Sequence, residues 1–167
     1  MKEFDRLTDI VAKLRAKDGC PWDREQTHAS LKPPCIEEAA EVICGINILE
    51  QTGDASNLME ELGDLLLQVV MHARIAEEEG LFTMEDVCRT IGDKMVRRHP
   101  HVFGKGSVDS ADEVVRNWEE IKKKEKGGRA ETAAAYLPAA FEEAAELIGV
   151  AARRKGFVSC HLPGTGV

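Results

Sequence analysis

Aromatic residues are scarce in this chain of 167 residues, since only 5% are Phe, Trp or Tyr. Clean alternation of apolar and polar residues, which is typical of half-buried β-strands, is also missing. Strands are enriched in aromatic and β-branched residues. The lack of both signals excludes a predominantly β fold and favours an all-α one.

An excess of basic residues is lacking as well. The chain has 22 Lys and Arg against 30 Asp and Glu, which gives a formal net charge of -8. Extended nucleic-acid surfaces need clustered cations, so we expect no nucleic-acid partner. A polyanionic ligand would need a local basic patch or a bridging metal cation.

Long apolar runs are absent, and the polar N-terminus lacks the apolar core of a signal peptide. The five cysteines form no CxxC pair, and reduced thiols are typical of the cytoplasm. We therefore expect a cytoplasmic protein with no membrane partner.

What the chain does contain is helical periodicity. Predicted helices cover residues 4–16, about 33–51, 57–79, 83–98 and 109–126. Pro33 and Pro34 fit a first helical turn, Gly80 fits a helix end, and Thr83 fits a cap. These segments predict an antiparallel bundle of about four to five helices.

Two pairs of acidic residues are the candidate functional residues. Glu61 and Asp64 share one stripe of a helix that is otherwise apolar on almost every side, so burial of that helix would place them in or beside a cavity. Glu38 and Glu41 lie one turn apart on the preceding helix, where an ordinary solvated face is the alternative. Paired across a helical hairpin, the four carboxylates would repel unless a cation joined them. Oxygen ligands favour Mg²⁺, and Mn²⁺ is a chemically similar substitute.

The two pairs read Glu38-x-x-Glu41 and Glu61-x-x-Asp64, and the chain resembles the MazG family of all-α nucleoside triphosphate pyrophosphohydrolases. Further matching segments lie at residues 19–23, 26–28, 93–103 and 117–122. The resemblance is to the N-terminal domain of tandem-domain members. It implies hydrolysis of a (deoxy)nucleoside triphosphate to the monophosphate and pyrophosphate. It leaves open the base, the sugar, and whether the enzyme clears aberrant nucleotides or adjusts normal pools.

The resemblance also implies functional residues and an assembly. It implies that Glu38, Glu41, Glu61 and Asp64 bind Mg²⁺ at the active site, without showing which is the general base, and that helical protomers form a homodimer. Substrate-contacting positions carry over to Lys94, Arg97, Arg98, Trp118 and Lys122. Lys94 and Arg98 lie one turn apart and can face phosphates together. The alternative is that these cations complement a helix end and that Trp118 belongs to the core.

We expect residues 1–126 to form the MazG-like domain and residues 127–167 to be a linker, followed by the truncated, degenerate start of a second repeat. This shortened second repeat leaves a non-catalytic helical dimerisation or regulatory module as an alternative function. A di-iron carboxylate bundle is a weaker alternative, because it needs two Glu-x-x-His motifs and only Glu25-x-x-His28 is present.

Overall fold

A computed structural model describes residues 2–105, 107–125 and 129–156. Over these ranges the chain forms eight helices and no strand, which confirms the all-α prediction. The helices are α1 (Lys2–Leu14), α2 (Pro21–Glu25), α3 (Lys32–Thr52), α4 (Ser56–Glu78), α5 (Met84–Arg98), α6 (Pro100–Phe103), α7 (Ala111–Glu125) and α8 (Arg129–Arg154).

Three of these helices were not among the predicted ones. The short α2 and α6 each begin at a proline, Pro21 and Pro100, whose restricted φ and missing N–H are tolerated in a first turn. The long α8 continues through Pro138 and occupies much of the segment assigned to a degenerate second repeat. The predicted linker residues Gly127 and Gly128, and residues 157–167, lie outside the described residues.

The ends of α3 and α5 follow from local sequence. Pro33 and Pro34 lie in the first turn of α3, and Gly53 ends this helix with a φ of +77°, a conformation that glycine adopts without strain. Thr83 caps α5 as predicted: its hydroxyl accepts from the Asp86 N–H at 3.2 Å, and the Asp86 carboxylate accepts from the Thr83 N–H at 2.9 Å. The short connection after Gly53 folds α4 back along α3.

Gly45 of α3 is buried at a point where the α4 backbone approaches closely. A Cβ atom added there would lie 2.8 Å from the Cα of Leu58, which is closer than real Cβ contacts. The missing side chain therefore allows the two backbones to approach each other. This crossing sets the separation of the two helices that carry the acidic pairs.

The buried core lies around the C-terminal half of α4. Val70, Met71 and Ile75 of this helix pack with Val11 of α1 and with Leu31, which precedes α3. The N-terminal half of α4 is different. Burial of this helix, on which the sequence argument for a cavity depended, is incomplete: Met59, Leu62 and Leu66 are exposed there, and Val69 is exposed further along the helix.

No helix in the described ranges is long and apolar enough to cross a membrane. The thiols of Cys20, Cys35, Cys44 and Cys88 are free, and Cys160 lies outside the described residues.

Candidate active site

Three of the four predicted metal ligands converge between α3 and α4. Glu38 extends from α3, Glu61 and Asp64 extend from α4, and one carboxylate oxygen of each lies within 4.8 Å of the others. Glu38 and Glu61 are half-buried, whereas Asp64 is exposed. We call these three residues the acidic cluster. Within the described part of the chain, no other group of three His, Cys, Asp or Glu side chains meets this spacing.

The acidic cluster is electrostatically unfavourable by itself. Burial raises the pKa of Glu38, and the neighbouring carboxylates of Asp64 and Glu61 raise that pKa further. A divalent cation would relieve this repulsion, and a set made only of oxygen donors suits a hard ion such as Mg²⁺ or Mn²⁺. The donor chemistry and spacing therefore fit the predicted metal.

Asn57 holds one oxygen of the acidic cluster. Its Nδ2 donates a hydrogen bond to Glu61 Oε1 at 3.0 Å, which fixes the orientation of that carboxylate. The Oδ1 atom of Asn57 is buried and accepts no hydrogen bond within the described structure. Buried polar atoms without partners are costly, so this oxygen is a further acceptor beside the cluster. Asn57 lies one helical turn before Glu61 on α4, and the sequence pattern indicated no role for it.

Glu41, the fourth predicted ligand, is engaged elsewhere. Its Oε1 contacts the ammonium group of Lys155, which also lies 3.2 Å from Glu37 Oε1. Arg154 pairs with the other oxygen of Glu37, and its hydrogen bond lowers the pKa of that carboxyl. Sequence reasoning missed these contacts, because nothing in the local pattern indicates that the end of α8 lies against α3.

The candidate substrate residues Arg98, Trp118 and Lys122 form a second group, the basic–aromatic cluster. The Arg98 guanidinium and the Lys122 ammonium each lie 4.9 Å from the Trp118 ring centroid. Arg98 also donates to Glu125 Oε2 at 2.7 and 2.9 Å, and Arg97 donates to Glu125 Oε1 at 2.7 Å. Hydrogen bonds from Arg98 and Arg97 lower the pKa of Glu125. Glu125 is thus an anionic partner that the sequence analysis did not identify.

Lys94 is one helical turn from Arg98 but has different neighbours. It lines a cavity of about 460 Å³ on α5 together with Phe82, Asp86, Val87, Thr90 and Ile91. Lys94 and Arg98 therefore have different surroundings in this conformation, because Arg98 turns towards Trp118 and Glu125. No hydrogen bond or ion pair joins the acidic cluster to the basic–aromatic cluster in residues 2–105, 107–125 and 129–156.

His28, the histidine of the Glu25-x-x-His28 motif, lies against His72 of α4. Its ring stacks on His72 with centroids 5.1 Å apart, and the two Nδ1 atoms are 2.8 Å apart. Burial lowers the pKa of His72, and His28 lowers it further. The motif that suggested a di-iron site therefore contributes to a histidine pair and not to the carboxylate group.

Comparison with protein families identifies the domain that contains these residues. Residues 26–103 match the family model described as the MazG nucleotide pyrophosphohydrolase domain. The matched range includes the acidic cluster, Glu41, Lys94 and both arginines at 97 and 98, whereas Trp118 and Lys122 follow it.

Individual relatives extend the match. Over 124 residues the chain is 54% identical to the nucleoside triphosphate pyrophosphohydrolase/pyrophosphatase MazG of Thermotoga maritima, covering 74% of this chain and 46% of that protein. Over 135 residues it is 45% identical to an Escherichia coli nucleoside triphosphate pyrophosphohydrolase, covering 80% of this chain and 50% of that protein. The chain thus spans about half the length of these curated relatives.

A solved structure shows the same fold. The crystal structure of a mazG-related protein from Thermotoga maritima aligns with a TM-score of 0.57 and 27% sequence identity. The alignment covers 71% of this chain and 98% of that one. Because the matched range contains the acidic cluster and the helical fold is shared, residues 26–103 of this chain form a MazG nucleotide pyrophosphohydrolase domain.

Proposed function

We propose that this protein hydrolyses (deoxy)nucleoside triphosphates to the monophosphate and pyrophosphate in a Mg²⁺-dependent reaction. The observation that carries the proposal is the convergence of Glu38, Glu61 and Asp64, with carboxylate oxygens within 4.8 Å of one another, inside a MazG domain. Relatives that match over the same region are named for this activity.

The residues of the chain have separable tasks in such a reaction. Bound Mg²⁺ would neutralise phosphate charge and make a coordinated water more acidic. The acidic cluster would hold the cation, and Asn57 keeps the Glu61 carboxylate in a fixed orientation. Arg98 and Lys122 offer cations for the triphosphate, and Trp118, which both cations contact, offers an aromatic ring for the base.

Product analysis tests the proposal directly. A panel of ribo-, deoxy- and modified nucleoside triphosphates should give equal amounts of pyrophosphate and monophosphate with Mg²⁺ or Mn²⁺. Calcium should support little turnover, because its looser coordination positions the attacking water poorly. Orthophosphate as the primary product would refute this reaction, and no turnover of any substrate would favour the non-catalytic module. The preferred substrates would also distinguish clearance of aberrant nucleotides from adjustment of normal pools.

Arg98→Ala should weaken triphosphate binding by roughly tenfold or more, because an arginine facing phosphate makes charge-assisted bidentate bonds. Arg98→Lys should restore binding only in part. Isothermal titration with a non-hydrolysable triphosphate measures the affinity, and thermal melting measures stability.

Glu125→Gln is the matched control, since it weakens the ion pair of Arg98 and leaves the guanidinium in place. Binding should survive in this variant. If Glu125→Gln and Arg98→Ala lower stability equally and both retain binding, Arg98 has only a structural role at the end of α5.

We also predict that the protein is a homodimer. Exposed apolar side chains lie along the α3–α4 hairpin, including Ile43 at 61% exposure and Leu62 at 50%. Apolar patches of this kind mark interaction surfaces. A second copy of the chain would cover the patch on the α3–α4 hairpin. Light scattering should give twice the chain mass of 18.4 kDa.

Leu62→Glu should shift the protein to the monomer, because it places a charge within the proposed interface. Leu81→Glu is the control, since Leu81 is similarly exposed but lies after α4, away from the patch. A monomer as the only species of the unsubstituted protein at micromolar concentration would contradict the prediction.

A further inference from the structure

The end of α8 places two cations against the face of α3 that carries the acidic residues. Lys155 Nζ contacts Glu41 Oε1 and lies 3.2 Å from Glu37 Oε1, while Arg154 pairs with Glu37 Oε2. The side chains of Glu37 and Glu41 are only 13% and 29% exposed. Partial shielding from solvent strengthens such ion pairs relative to fully exposed ones.

Lys155 is held in this position by the structure of α8. The Lys155 N–H donates to the Ala151 carbonyl at 3.0 Å, and Gly156 follows with a φ of +84°. Further back along α8, Glu143 pairs with Lys32 of α3 at 2.9 Å. Contacts at two points along α3 therefore dock α8 against it.

The positive charge of Lys155 also acts on Glu38, a member of the acidic cluster. It lowers the pKa of Glu38 and so partly offsets the increase caused by burial and by the neighbouring carboxylates. Lys155 is thus close enough to interact with the cluster, although its direct contacts are with Glu37 and Glu41. Glu41 lies one helical turn after Glu38 and is therefore near the cluster. Its carboxylate is paired with the Lys155 ammonium group.

We propose that Lys155 competes with the divalent cation for Glu41, so that Glu41 joins Glu38, Glu61 and Asp64 around a metal only when Lys155 has moved away. This inference rests on the proposed metal site. It makes α8 a built-in restraint on metal binding. Coupling between two ligands of one site is reciprocal, so metal binding should also release the end of α8.

The alternative task for Lys155 is direct contact with the triphosphate. The geometry favours competition, because the Lys155 ammonium is directed at two carboxylates of α3. A phosphate ligand would first have to displace Glu41. The two tasks predict different results when the charge is removed: tighter metal binding for competition, and weaker triphosphate binding with unchanged metal affinity for phosphate contact.

The test is Mn²⁺ binding to the full chain, measured by titration calorimetry and by electron paramagnetic resonance of free Mn²⁺. Lys155→Met keeps most of the side-chain length and removes the charge. Its Mn²⁺ affinity should rise by roughly two- to fivefold, the scale of a partly exposed ion pair. Lys155→Arg, which keeps the cation, should bind Mn²⁺ much as the unsubstituted protein does.

Glu143→Gln is the matched control for docking of α8. It removes the ion pair with Lys32 and leaves the Lys155 contact with Glu41 in place, so its Mn²⁺ affinity should not change. A rise as large as that of Lys155→Met would overturn the competition, because weaker docking of α8 alone would then explain the effect.

Hydrogen exchange provides a second readout that does not depend on turnover. Amides of residues 151–156 should exchange faster when Mn²⁺ is added, and unchanged exchange would contradict the coupling.

Equal Mn²⁺ affinities of Lys155→Met and the unsubstituted protein would overturn the competition alone. Weaker triphosphate binding with unchanged Mn²⁺ affinity would instead make Lys155 a phosphate ligand. If neither Lys155→Met nor the unsubstituted protein binds Mn²⁺, the proposed metal site is overturned, and the competition with it.

Discussion

Glu61→Gln and Asp64→Asn should each lower turnover by at least about 100-fold, the scale expected when a key electrostatic contact of the transition state is lost. Each substitution keeps the size of the side chain and removes one negative charge from the acidic cluster. We expect the same loss for Glu38→Gln and Glu41→Gln. Initial rates over a Mg²⁺ titration separate weaker metal binding from a slower reaction.

The fold should survive these substitutions. In Glu38→Gln, the metal-free protein should melt at a higher temperature than the unsubstituted one, because Glu38 is repelled by Asp64 and Glu61 and is partly desolvated. Glu60→Gln is the matched control, since Glu60 is exposed on α4 and lies outside the acidic cluster. A variant with a normal rate at saturating Mg²⁺ would remove its residue from the proposed site.

Gly45→Ala should destabilise the protein by about 1–3 kcal/mol, the usual cost of overpacking a buried contact. The added methyl group would lie 2.8 Å from the Leu58 Cα, so α3 and α4 would have to move apart. Because this crossing sets the distance from Glu38 to Glu61 and Asp64, Mn²⁺ affinity should fall as well. Urea unfolding without metal at one protein concentration, followed by Mn²⁺ titration, measures both effects.

Gly92→Ala is the control for helix propensity. Gly92 lies inside α5, and an added Cβ there would meet nothing within 4 Å. Alanine should stabilise an exposed helix position by up to about 1 kcal/mol. If both variants are stabilised equally, the α3–α4 crossing is looser than the structure shows.

Several features could be read from the sequence because they depend on residues within one or two helical turns. Helical periodicity predicted five of the helices, the prolines at 33 and 34 predicted the start of α3, and Thr83 predicted the cap of α5. The acidic cluster could also be predicted from the sequence. Residues three apart lie on one face of a helix. The connection after Gly53 is short, so the second helix is expected to pack antiparallel to the first.

The tertiary structure decided which of the predicted residues meet. The sequence placed Glu41 with the other carboxylates, yet its partner in the structure is Lys155, far along the chain. It paired Lys94 with Arg98, yet Arg98 turns to Trp118 and Glu125. Such pairings depend on how separate helices pack, and side-chain spacing within one helix does not contain that information.

The sequence by itself determined five of the helices and the stripe of acidic residues, because local hydrogen bonding and side-chain periodicity recur every few residues. Its motifs indicated the family by resemblance. Only the tertiary structure decided the close crossing at Gly45, the exposed apolar side chains of α4 and the contact of Lys155 with Glu41. The physical reason is that burial and ion pairing between helices are properties of their relative placement, which arises from the packing of the whole chain.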